Sequence, residues 1–186
     1  EARTLANMRS LVRPGGEVSE DRRGWRRAGD VAEVSPLRLR KPGEAAARDF
    51  TTRLSALKGG ASQHSPVEVF YQVWDRPLMT VGGTHWISDA LVLCGARNVF
   101  ADLRGLSPVV SREAVLQRAP ELIVSGTDAP DMRAEWQRFS GLPAVKSQGF
   151  VRIDADRLHR PTPRLIEGVA ALCDALKPAR LRSGQR

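Results

Sequence analysis

Residues 67–126 leave this chain few folds to choose from. The stretch opens on VEVFYQV, where β-branched and aromatic residues (Val67, Val69, Phe70, Tyr71, Val73) crowd together as a strand tolerates and a helix does not. Trp74-Asp75-Arg76-Pro77 breaks that strand, because proline takes a backbone N–H out of any ladder. Gly82-Gly83 then marks a turn, and Ile87, Ala90, Leu91 and Cys94 recur at helical spacing. Strand, exposed aromatic, glycine pair and helix is the order in which α/β proteins build a ligand rim at the carboxyl ends of their strands.

The alternation continues downstream. Asn98-Val99-Phe100 reads as a short strand, and Ser111 as the N-cap of a helix over SREAVLQRA, with Glu113 favourably placed in its first turn. Pro120 closes that helix and Leu122-Ile123-Val124 is a compact buried strand. Pro130 starts a helix with Met132, Trp136 and Phe139 on one face, and Ala144-Val145 and Val151-Arg152-Ile153 read as short strands. Thr162 and Pro163 begin a last helix whose apolar face is Leu165, Ile166, Val169, Cys173 and Leu176, stopped by Pro178. Such alternation predicts a three-layer αβα fold around a mainly parallel sheet, over residues 66–178. Upstream, Phe50, Leu54 and Leu57 place an amphipathic helix within 44–60, ended by Gly59-Gly60, with a linker before Pro66.

Charge separates these regions. The net charge is +8, yet 67–178 carries thirteen basic against thirteen acidic residues. The excess lies in residues 1–43, with ten against six, and in a basic tail, 179–186, with three against none. A neutral folded part argues against nucleic acid, whose partner shows a basic stripe on the structured element that enters a groove. Segment 1–43 has poor periodicity and stacks arginines around Trp25, a composition that buries too little apolar surface to offset chain entropy and reads as poorly ordered. No apolar run is long enough to span a bilayer. Glu1-Ala2-Arg3-Thr4 does not open a signal peptide, but a processed chain lacks one as well. Cys94 and Cys173 both fall on apolar helix faces, which leaves two buried thiols and a disulfide as alternatives.

No catalytic constellation presents itself. The sequence has no GxGxxG, GxSxG, P-loop or HExxH, and His64, His85 and His159 lack any metal-ligand spacing. Binding is better served. Trp74 and Trp86 stand at the two ends of the first loop with Met79 between them, suiting a large, flat, partly apolar ligand, although one of the pair is expected to pack as core. A second loop, 156–164, carries Asp156, His159 and Arg160 before the last helix and offers polar contacts to the same ligand.

VFYQV, PLMTVGG, ISDALVLCGARNVFAD, SREAVLQRAPELIVSG and HRPTPRLIEGVAALCDAL follow one another in the order and spacing seen in a known family. From Val69 to Leu176 the chain resembles the C-terminal lobe of the class III periplasmic binding proteins, in particular their vitamin B12-binding branch. Residues 44–60 then resemble the end of the long interlobe helix, and Glu1 to Leu11 the segment just before it. In this family two lobes hold the ligand between them and dock on the permease of an ABC importer in the inner membrane. The resemblance implies a periplasmic protein that is not itself membrane-spanning, a corrinoid (cobalamin) as ligand rather than a cofactor, and Met79, Asp156, His159 and Arg160 around it. Met79 takes the place of a loop aromatic, His159 of an acidic residue and Ser107 of a tryptophan, for which Trp74 and Trp86 would compensate. It further implies that Glu113 pairs with permease arginines and that Cys94 and Cys173 form a disulfide.

No segment here matches the N-terminal lobe, so the expectation is a truncated solute-binding protein with one wall of the cleft. The alternatives are a haem or ferric-siderophore binder of the same family, a lobe without binding activity and, more distantly, a small α/β enzyme that turns Gly82-Gly83 around a phosphate.

Overall fold

The computed structural model describes residues 48–57, 65–126, 132–159 and 164–183. Four strands, β1 (Val67–Gln72), β4 (Ala96–Asn98), β5 (Leu122–Ser125) and β6 (Phe150–Arg152), form a sheet of order β4-β1-β5-β6 in which every pair is parallel. Two shorter strands, β2 (Trp74–Asp75) and β3 (Leu78–Met79), form a separate antiparallel hairpin. Helices α1 (48–57), α2 (Trp86–Leu93), α3 (Arg112–Arg118), α4 (Met132–Gln137), α5 (Pro143–Lys146), α6 (Ala155–Leu158) and α7 (Leu165–Ser183) cover both faces. This is the αβα architecture expected from the alternation.

The strand period of two feeds two cores. Val67, Val69 and Tyr71 of β1 and Leu122 and Val124 of β5 face a cluster completed by Phe50 and Leu54 of α1, Ile87 and Leu91 of α2 and the apolar stripe of α7. Phe70 and Ile123 point the other way, into Phe100, Val115, Met132 and Trp136. The first core is mainly aliphatic and covalently stapled, since Cys94 at the end of α2 is bridged to Cys173 of α7. The second is aromatic, with Phe100 and Trp136 both edge-on to Phe70 at 5.7 Å.

Four local expectations are corrected. The loop expected over 156–164 begins inside helix α6, because the Asp154 side chain accepts from the Asp156 N–H (3.0 Å) and caps it. The strand expected at Asn98-Val99-Phe100 lies at Ala96–Asn98, because the Asn98 side chain accepts from the Phe100 N–H (3.0 Å) and turns the chain. Ala144-Val145 belongs to a helix, not a strand; Pro143 at its first turn has the φ a helix needs. Pro178 does not stop the last helix, which runs to Ser183 and so takes in the start of the 179–186 tail. Pro178 is exposed, whereas Ala179 continues the buried face, so the missing hydrogen bond is spent on the solvent side. The readings of segment 1–43, the Gly59-Gly60 stop and the Thr162-Pro163 start lie outside the described residues.

Candidate functional site

Because the four strands are parallel, their carboxyl ends share one edge, and the connections that leave this edge hold the candidate residues. The β1–α2 connection is the most built of them. Its first half is the β2–β3 hairpin, in which Trp74 pairs with Met79 and Asp75 with Leu78. The Trp74 side chain is 54% exposed, and its indole N–H donates to the Arg76 carbonyl (3.0 Å), which fixes the ring while leaving it open to a ligand. Met79 is half-buried and bridges Val109, which is 62% exposed.

The second half of the connection is held from beneath. Thr80 donates to the Tyr71 carbonyl (2.8 Å), Ser88 to the Gly82 carbonyl (2.8 Å), and Asn98 to both the Val81 carbonyl and the Ser88 hydroxyl (2.8 Å each). All three side chains are buried, where a hydrogen bond is costly to leave unmade. Gly82 and Gly83 pass so close to the 101–105 backbone that a Cβ at either would overlap a carbonyl. The glycine pair is thus a close-packing device against protein backbone, which is a structural use of a motif that sequence reading also offered to a phosphate.

At the centre of the edge stand Tyr71, His85, Trp86 and His159. The buried Tyr71 hydroxyl meets His159 Nε2 at 2.9 Å, and burial pushes its pKa up. Gly126 lies against both groups, leaving no room for a side chain. His85 N-caps α2, its Nδ1 accepting from the Ile87 N–H (3.1 Å), and its ring lies 4.0 Å from that of Trp86. Burial, and then the charge of His159, lower the His85 pKa to about 4. Burial lowers that of His159 too, against the pull of the Asp156 carboxylate. Both imidazoles are therefore neutral at neutral pH.

Trp86 is the member of the tryptophan pair that packs as core. It is half-buried against the aliphatic cluster, and its N–H donates to the Leu158 carbonyl (3.0 Å), next to His159. Asp156 is exposed in the first turn of α6 and lines an open pocket of about 500 Å³ with Arg152 and Asp154. Ser107 is exposed on the connection from β4 to α3, and Arg160 lies outside the described residues. Glu113 is exposed in the first turn of α3, where its own backbone N–H and the Ser111 hydroxyl hold its carboxyl below the usual range. Asp75, Arg76, Leu78, Val109, Arg112 and Glu113 line a groove of about 570 Å³ between the hairpin and α3.

The fold thus brings His159 to Tyr71, His85 and Trp86, and sets Trp74, Met79 and Val109 together in the hairpin. His85 and His159 are far apart in sequence, and only the sheet unites them. As site residues Tyr71, Thr80, Asn98 and Gly126 carry no local signal, and Tyr71 and Asn98 read only as strand residues. Among the described residues no three His, Cys, Asp or Glu side chains group as a metal site, and no helix is long and apolar enough to cross a membrane.

No model of a protein family matches the sequence. The chain is 35% identical over 133 residues to the vitamin B12-binding protein of Vibrio parahaemolyticus, covering 71% of this chain and 48% of that protein. It is 36% identical over 138 residues to that of Vibrio cholerae, covering 74% and 50%. The crystal structure of the periplasmic vitamin B12-binding protein of V. cholerae superposes with a TM-score of 0.68 at 36% identity, over 75% of this chain and 55% of that one. A periplasmic haem-binding protein solved with two haems shares the fold, with a TM-score of 0.64 at 21% identity over 77% and 58%. The chain spans about half the length of the curated relatives it matches.

Proposed function

We propose, from the premise that this chain is homologous to the periplasmic vitamin B12-binding proteins over about half of their length, that its carboxyl edge is one wall of a corrinoid-binding cleft. The observation that carries this reading is Trp74: a large ring, 54% exposed, held by its own hairpin beside Met79 on the edge where α/β proteins take ligands. Trp86 and His159 extend that wall, with Asp156 at the start of α6 as a polar contact; Arg160, which the resemblance adds to the ligand set, lies outside the described residues. The protein is then a binding component and not an enzyme, it works in the periplasm, and it delivers its ligand to the membrane subunit of an ABC importer. Glu113, charged and exposed at the start of α3, is the docking contact for arginines of that subunit.

Titration with cyanocobalamin tests the reading. Saturable quenching of tryptophan emission, together with a shift in the corrinoid absorbance, is expected. Trp74→Ala should reduce the affinity by about tenfold, the loss of one well-placed aromatic contact. Absence of quenching at high micromolar cyanocobalamin would refute it and favour a lobe without binding activity. Haem is the second reading, because the exposed Trp74 ring suits a flat porphyrin as it suits a corrin, and a ferric siderophore is the remaining ligand class. Haemin that displaces cyanocobalamin at equal concentration would reverse the order.

A further inference from the structure

The hairpin at Trp74 has two faces in opposite surroundings. Side chains alternate along β3, so Leu78 turns into the aromatic core while Met79 lies on the other face. Met79 is paired directly with Trp74 on one side and with Val109 on the other, and directly opposed residues of antiparallel runs share a face. Trp74, Met79 and Val109 therefore stand in one row across three adjacent runs of chain, about 10 Å from end to end at the usual strand spacing. Both outer members are mostly in water, at 54% and 62% exposure. Among the described residues five large apolar side chains are exposed. Three of them, Trp74, Leu106 and Val109, lie on this rim, where the Gly82 N–H donates to the Leu106 carbonyl (3.1 Å). Such a gathering marks a binding surface, whereas single exposed apolar residues need no explanation.

The row is built in advance. The Val110 N–H donates to the Leu78 carbonyl (2.9 Å) and the Thr80 N–H to the Pro108 carbonyl (3.0 Å), which brackets the Met79–Val109 pair. Leu78 is buried, and the buried Thr80 hydroxyl is tied to the Tyr71 carbonyl (2.8 Å). Backbone anchored on both sides of Met79 keeps Val109 in place, so a ligand meets the row without first having to order it. We propose that Trp74, Met79 and Val109 form one rigid apolar platform for the face of the corrin ring, with Val109 as a ligand contact at its far end. The proposal rests on the reading of Trp74 as a ligand contact and extends it from one side chain to a surface. The one strong donor of the row, the Trp74 N–H, is already spent on the Arg76 carbonyl, so the platform selects an apolar face over a charged or strongly hydrated one.

Cyanocobalamin titration of Val109 variants tests the platform. Val109→Thr keeps the β-branched shape, and with it the strand, while putting a hydroxyl where a methyl meets the ligand. It should weaken binding about three- to fivefold, the worth of one methyl buried against the ring, with an unchanged urea midpoint. Val109→Asp should weaken it about tenfold or more. Val92→Ser, at an exposed valine near the far end of α2, is the control and should leave the affinity unaltered. Quenching with wild-type affinity in both Val109 variants would overturn the platform and leave Trp74 as an isolated contact. A loss confined to variants with a lowered urea midpoint would overturn it as well, because a damaged strand then explains both. Self-association that Val109→Thr abolishes, at unchanged cyanocobalamin affinity, would overturn it in favour of a contact between copies of the chain. Absence of quenching in the unsubstituted chain would overturn both this proposal and the binding reading.

Discussion

The two halves of the β1–α2 connection are consecutive in sequence and held by opposite physics. Residues 74–79 form a hairpin held by backbone pairing and by the Trp74 indole on the Arg76 carbonyl, with Leu78 buried and the aromatic ring facing solvent. Residues 80–88 follow a path fixed by buried side chains and by two glycines that press on neighbouring backbone. A binding rim needs both: a surface that offers itself to a ligand, and an anchor that keeps the surface from collapsing onto the core. Substitutions in the anchor should therefore register in stability, and those in the hairpin in binding.

Gly82→Ala should show the largest effect. The added Cβ meets the Gly105 carbonyl, with Leu103 O at 2.8 Å, and backbone does not yield as a side chain does. A loss of about 3 kcal/mol or more is expected in urea denaturation, at the upper end for an overpacked site. Acid should come next. His85 has a folded pKa of about 4 against 6.5 in the unfolded chain, so between those values the unfolded state binds the additional proton. Its contribution is full above pH 6.5 and falls away as the pH drops towards 4, by about 2 to 3 kcal/mol for this group. His85→Asn keeps a cap acceptor for α2 and should flatten that part of the pH profile. Asn98→Ala takes the side-chain partner from the Val81 carbonyl and the Phe100 N–H, leaves the Ser88 hydroxyl with Gly82 alone, and should cost about 2 kcal/mol in the same denaturation assay. Trp74→Ala should shift the midpoint least, by under about 0.5 kcal/mol, because the ring is largely in water. If Trp74→Ala destabilises as much as Asn98→Ala, the division between surface and anchor is wrong.

The same division explains what was legible in the residues. Trp74 is conspicuous because a large aromatic beside Asp75-Arg76-Pro77 has no strand left to bury it. Ser111 announces itself by its place before a helical period, and it caps α3 as expected. Met79 and Trp86 read as rim residues in the sequence; the structure leaves both half-buried, with the Trp86 N–H on the Leu158 carbonyl, a partner 72 positions away. His85 and His159 carried no mutual signal, since their proximity depends on how β1, α2 and α6 come together. Asn98 looked like part of a strand, and its role in ending one depends on carbonyls that arrive from Val81 and on the Ser88 hydroxyl.

Hydrophobic periodicity therefore determined the alternation of strands and helices, and with it the parallel sheet, because a period of two or of 3.6 is a property of neighbours in the chain. It also placed Cys94 and Cys173 on apolar helix faces, where resemblance to a known family paired them. Only the tertiary structure decided which of the two tryptophans stands largely in water and which is half-buried, that burial favours the neutral form of His85, and that Met79 of the hairpin bridges Val109 ahead of α3. Those properties are set by burial and by hydrogen bonds between distant residues, which no local pattern encodes.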